Sequence, residues 1–119
     1  MNACVADLTT YANNRPTAPS WARRESAERY GLSAIERSAL LCLWDHARYW
    51  RESPAAPRLV LSDWSQPQLA REIPCSSRAV RYALDRLETL GLIAVHVATL
   101  GVPVVYRLAE LPPAPVRLA

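Results

Sequence analysis

The sequence predicts a mainly α-helical fold with a small β-hairpin on its C-terminal side. Residues 33–36 (SAIE) and 65–68 (SQPQ) are capping boxes, and each opens a stretch whose apolar residues recur at helical spacing. A third stretch with this spacing covers residues 76–90. Residues 92–98 and 104–108 are rich in valine and other strand-forming side chains, and a glycine turn separates them. We therefore expect three helices followed by one hairpin.

An arm and a short helix precede this part of the chain. Residues 1–19 have little periodicity and contain two prolines, which is typical of an irregular segment. Ser20 is expected to cap a short helix over WARRESAERY, and Gly31 is expected to end it. The predicted organisation is an arm with a short helix (residues 1–31), a main domain (32–111) and a proline-rich tail (112–119).

Apolar spacing defines the first long helix, which is predicted to run from Ser33 through Trp50. Its predicted buried face consists of Ile35, Ala39, Leu40, Leu43, Trp44, Ala47 and Trp50. Prolines 54 and 57 interrupt the pattern and leave room for a brief strand at residues 59–61.

Two shorter predicted helices follow. The second begins at the Ser65 cap, accommodates Pro67 in its first turn and stops at Pro74. The third is capped by Ser76 or Ser77 and ends at Gly91, where a left-handed residue is favoured. Its predicted inner face consists of Val80, Ala83, Leu84, Leu87 and Leu90.

The composition indicates a folded, mildly basic protein. Of its 119 residues 50% are hydrophobic, which is enough for a core, and the formal net charge is +3. All 14 basic residues are arginine, whose planar guanidinium group suits phosphates and guanine edges. Codon use in a GC-rich genome is the simpler cause of this composition. The sequence has neither a long apolar run nor the pattern of a secretory signal, so we expect a cytoplasmic protein without a membrane span.

Residue types that carry catalysis or bind metals are sparse. The three cysteines are scattered, and the two histidines, His46 and His96, have no partner at the spacing of a metal site or catalytic triad. Three glycines in the whole chain leave no glycine-rich phosphate loop. We therefore expect no enzyme, no cofactor and no metal site, and no small-molecule effector is evident from the sequence. Redox control through Cys75, at the corner between two helices, is the alternative that remains open.

The segment "LAREIPCSSRAVRYALDRLETLGLI" places a polar-fronted helix after a short helix and a tight corner. Residues 66–85 look like a helix-turn-helix unit, and residues 33–108 resemble a bacterial winged helix-turn-helix protein, with three core helices plus a wing. The matching positions are Ala70, Ile73, Val80 and Leu84. "ALLCLWDHARYW" and "WSQPQLAREI" are also similar to helix-turn-helix domains of phage and plasmid replication proteins. The sequence departs from the family at Pro74, where glycine is usual, and at the uncharged hairpin tip ATLGVPVV.

This resemblance implies binding to double-stranded DNA, with helix 76–90 in the major groove. The residues expected to contact DNA are Ser76, Ser77, Arg78, Arg81, Tyr82, Arg86, Gln66, Gln68, Arg71 and Arg107. Alternatively, Arg78 and Arg81 are ordinary solvated residues, with Arg81 and Asp85 forming a surface pair.

The expected function is sequence-specific transcription regulation by a homodimer, because a single small domain makes few base contacts. Two alternatives stay open: a phage or plasmid replication or partition factor, and a winged-helix adaptor that holds a protein partner and does not bind DNA.

Overall fold

The computed structural model describes residues 15–97 and 104–114, in which four helical segments accompany a four-stranded antiparallel sheet. The first segment is a π-helical turn, Trp21–Glu25, that continues into α1, Ser26–Tyr30. The other elements, in chain order, are α2 (Ala34–Asp45), β1 (Arg48–Trp50), β2 (Leu59–Ser62), α3 (Gln66–Glu72), α4 (Ser77–Thr89), β3 (Ile93–Val97) and β4 (Val105–Leu108). Helices with a C-terminal hairpin agree with the sequence-based expectation, but the sheet has two strands more than the predicted hairpin.

The first long helix is shorter than predicted. It ends at Asp45, and His46 has a non-helical backbone whose N–H donates to the carbonyl groups of Leu43 and Trp44. The chain then forms β1, in which Trp50 pairs with Leu59 of β2. The prediction that the helix continues through Trp50 is therefore wrong. In β1 the backbone N–H and C=O groups that a helix would pair internally are paired with β2 instead. Because β2 lies later in the chain, local periodicity does not reveal it as a partner.

The sheet has the strand order β1-β2-β4-β3, and every pair is antiparallel. The predicted strand at residues 59–61 is β2, and it pairs with β4 through Leu61 and Arg107. The hairpin of β3 and β4 agrees with the two predicted runs, and an irregularity in its register lies between Val95 and Val97. The predicted turn at residues 100–101 lies outside the described residues.

The core lies between α2, α4 and one face of the sheet. Its fully buried side chains include Leu43 of α2, Val80 and Leu87 of α4, and Leu108 of β4. Burial of such a side chain contributes roughly 1.5–3 kcal/mol. These contacts fix the inner side of α4, so its opposite side faces solvent.

The N-terminal helical segment belongs to the same core. Trp21 and Tyr30 are buried in it, with their rings edge to face at 6.2 Å between centroids. The Tyr30 hydroxyl donates to the carbonyl of Pro113 at 2.6 Å, and Trp21 Nε1 donates to that of Glu110 at 3.2 Å. The predicted boundary at residue 31 therefore separates segments that share one hydrophobic core.

The predicted caps are confirmed with one exception. Both capping boxes are present, and Gly31 and Gly91 have the left-handed φ angles of 63° and 79°. The prediction that Ser20 caps the first helix is wrong, because its own backbone is helical and its side chain makes no capping hydrogen bond. The Pro19 carbonyl instead accepts from the N–H groups of Ala22 and Arg23, at 3.0 and 3.2 Å.

Candidate nucleic-acid interface

The start of α3 is fixed by a capping box. The Ser65 side chain accepts from the Gln68 N–H at 3.3 Å, and Gln68 Oε1 accepts from the Ser65 N–H at 2.9 Å. The Gln68 carbonyl oxygen is thus used in the capping box, although the residue is exposed. Gln66 is half-buried at the first helical position, and Arg71 is exposed in the last turn.

The corner between α3 and α4 is built without a left-handed residue. Ile73 ends α3 in an extended conformation, with φ −102° and ψ 112°, and its N–H still donates to Leu69 at 2.8 Å. Ser76 is extended as well, with φ −77° and ψ 157°. This backbone path explains how Pro74 fits where glycine was expected, because proline requires a φ near −65°. Ile73 is buried and anchors the corner to the core.

Ser76 organises the first turn of α4. Its hydroxyl accepts from the Ala79 N–H at 3.1 Å, and its carbonyl accepts from Val80 at 3.1 Å. The N–H groups of Ser77 and Arg78 precede the first intrahelical hydrogen bond and point out of the helix end. This end of the helix also carries the positive part of the helix dipole. Both features favour an anion such as a phosphate.

Arg78 and Tyr82 form a pair on the exposed side of α4. Nε and Nη2 of Arg78 donate to the Tyr82 hydroxyl at 3.2 and 3.1 Å. Tyr82 is 58% exposed, although it is a large aromatic residue. The hydroxyl thus occupies the edge formed by Nε and Nη2, and among the described residues Nη1 has no hydrogen-bond partner. The one-turn spacing of the two residues was the sequence signal for this contact.

Arg81 lies beside this pair and is exposed. Among the described residues its guanidinium group forms no ion pair, so the alternative of a surface pair with Asp85 is not seen. Carboxylates follow only in the second half of the helix, at Asp85 and Glu88. The exposed side of α4 is therefore positive near its start and negative near its end.

Arg86 is used differently from the other two arginines of α4. Its Nη2 donates to the carbonyl groups of Tyr30 and Gly31 at 3.3 and 3.4 Å, and its Nε lies 3.9 Å from Glu36 Oε2. It therefore joins α4 to the end of α1 and to the start of α2.

Arg107 lies apart from α4. Its neighbours Tyr106 and Leu108 are buried in the core, so strand alternation places Arg107 on the outer face of the sheet, where it is exposed.

Of the ten predicted DNA-contacting residues, the structure brings Ser76, Ser77, Arg78, Arg81 and Tyr82 together on the first half of α4.

Two of the three cysteines, Cys42 and Cys75, lie in the part of the chain that the structure describes. Cys42 and Cys75 are free and half-buried. Burial raises the pKa of the Cys42 thiol, and the carboxylates of Glu72 and Asp45 raise it further. Residues 15–97 and 104–114 contain no group of three side chains able to hold a metal ion.

Over the same residues, no helix has the length and apolar character needed to cross a membrane.

Comparison of the chain with protein-family models, curated proteins and solved structures gives no match. Its function has therefore to be inferred from the geometry of its own residues.

Proposed function

We propose that this protein is a winged-helix protein that binds double-stranded DNA, with the first half of α4 in the major groove. The order of α3, corner, α4 and hairpin supports this interpretation, since it follows the helix-turn-helix and wing arrangement. The single observation that carries the proposal is the exposed start of α4, where Arg78 and Arg81 lie beside a capped helix end and, in the part of the chain that the structure describes, form no ion pair.

In this proposal each residue near the start of α4 has a separate task. The outer edge of the Arg78 guanidinium group donates to O6 and N7 of a guanine, while Tyr82 holds the other edge. Arg81 contacts a second base or a phosphate. The N–H groups of Ser77 and Arg78 bind a backbone phosphate. Arg86 is left out of the interface, because it joins α4 to α1 and α2.

Sequence-specific regulation of transcription by a homodimer is the role that we assign to this interface. A single α4 presents few side chains to the bases, whereas two copies bound one helical turn apart double the contacts, at a spacing of roughly 10 base pairs. We further propose that the protein acts in the bacterial cytoplasm, where the DNA it binds is located.

The test is fluorescence anisotropy of the purified chain with labelled random-sequence and genomic-origin duplexes, in a series of salt concentrations. We expect binding whose log K falls with log salt by about 0.9 for each phosphate contacted. Light scattering on the free protein should give the mass of two chains. No binding even at low salt would overturn the proposal and favour the adaptor function.

A further inference from the structure

The outer face of the sheet, which is the side turned away from the helices, carries its own apolar residues. Leu61 is only 8% exposed, yet its neighbours in the sheet on either side are the exposed Arg48 and Arg107. Residues directly opposite in paired strands point to the same face. Leu61 therefore points outward, to the same face as the two arginines.

An aromatic pair and a cavity lie on this face. The rings of Trp50, from β1, and His96, from β3, meet edge to face with their centroids 5.3 Å apart. The cavity has a volume of about 280 Å³, and both rings line it together with Leu61 and Val105. Small-molecule sites begin at roughly 300 Å³, so this cavity is at the lower end of the range and suits a ligand no larger than one or two rings.

Two opposite charges also line the cavity, Arg48 and Asp63. Both side chains are exposed, and in the described part of the chain neither forms a hydrogen bond or an ion pair. Arg48 lies directly across from Leu61, and Asp63 follows directly after the end of β2 at Ser62. Both residues line the cavity, so a ligand held in it is within reach of both charges.

We propose that this cavity binds a small aromatic zwitterion with the chemistry of an α-amino acid. Its ring packs against Trp50, Leu61 and Val105, its carboxylate accepts hydrogen bonds from Arg48, and its ammonium group donates to Asp63. A purely apolar ligand leaves both charges unused, and a phosphate brings negative charge beside the Asp63 carboxylate. This site is independent of the proposed DNA interface, because it lies on the sheet.

The experiment is isothermal titration of the full chain, without DNA, with three probes that share one ring. L-phenylalanine has both charges, 3-phenylpropionate lacks the ammonium group, and 2-phenylethylamine lacks the carboxylate. We expect L-phenylalanine to bind at least about tenfold more tightly than either analogue. No binding of L-phenylalanine, or equal binding of all three probes, would overturn the proposal.

Two variants separate the roles of the charges. Arg48→Gln should weaken binding of L-phenylalanine and 3-phenylpropionate and leave binding of 2-phenylethylamine unaffected. Asp63→Asn should weaken binding of L-phenylalanine and 2-phenylethylamine and leave binding of 3-phenylpropionate unaffected. Misfolding does not produce this crossed pattern, so each variant controls the other. The matched changes Arg24→Gln, on the N-terminal helical segment, and Asp85→Asn, on α4, should leave all three affinities unchanged. If Arg48→Gln and Asp63→Asn weaken the probes equally or not at all, the assignment is wrong.

Discussion

The two halves of α4 have the same backbone and contain the same residue type, but they are used in opposite ways. In the first half, Arg78 and Arg81 face solvent near a capped helix end. In the second half, Arg86 donates to backbone carbonyl groups of another helix and lies near Glu36. An arginine on a recognition-like helix is therefore not by itself a DNA contact. What surrounds it in the folded protein decides its role.

The largest effect should be a loss of stability on substitution of the inner side of the second half of α4. Leu87→Ala removes a fully buried side chain from the core, and we expect the free energy of unfolding to fall by about 2–5 kcal/mol. Chemical denaturation measures this change, with the exposed Glu88→Ala as the control in the same turn. A loss below about 0.5 kcal/mol would show that this half does not anchor the helix.

The next largest effect should be a loss of DNA affinity on substitution of Arg81 in the first half of α4. Arg81→Ala should weaken specific DNA binding by about 1–3 kcal/mol and leave the thermal midpoint nearly unchanged, because Arg81 is exposed and forms no ion pair with any described residue. Fluorescence anisotropy measures the affinity. Arg24→Ala, the same charge change on the exposed side of the N-terminal helical segment, is the matched control. Equal affinity of Arg81→Ala and the wild type would remove Arg81 from the interface.

The Ser76 cap should affect stability to a smaller extent. Ser76→Ala removes the acceptor for the Ala79 N–H, and we expect a loss of about 0.5–2 kcal/mol in the free energy of unfolding. Ser77→Ala is the control, because Ser77 lies one position inside the helix. An equal loss in both variants would mean that the cap hydroxyl is not what stabilises this turn.

Arg86→Ala should show the opposite pattern to Arg81→Ala. We expect a loss of about 1 kcal/mol in stability, because two hydrogen bonds to carbonyl groups disappear from a side chain that is about half exposed. DNA affinity measured at a temperature where both proteins are folded should stay within about twofold. A loss of affinity as large as that of Arg81→Ala would contradict the division of α4 into two halves.

The smallest effect tests the pair of Arg78 and Tyr82. Tyr82→Phe keeps the ring and removes the hydroxyl that accepts from Arg78, so we expect a loss of about 0.5–1 kcal/mol in specific binding. In an Arg78→Ala background the same change should have no further effect, which a double-mutant cycle measures. An undiminished effect of Tyr82→Phe in that background would show that the hydroxyl acts without Arg78.

Local signals predicted the helices that begin at a cap. Ser33, Ser65 and Ser76 each accept from the backbone N–H three residues later, and Gly91 closes α4 with a left-handed turn. These interactions involve neighbours in the chain, so residue types and their spacing are sufficient to predict them. Ser20 was the exception, because the Pro19 carbonyl already accepts from the first N–H groups of that helix.

By itself the sequence determined where α3 and α4 begin, which side of α4 is buried, and that a hairpin follows. Only the tertiary structure decided that Trp50 lies in a strand, that Arg86 joins three helices, and that Trp50 and His96 meet across the outer face of the sheet. The physical reason is the range of the interactions. Caps and helical periodicity act within a few residues, whereas strand pairing and the partners of Arg86 join segments distant in the chain, and no local pattern specifies them.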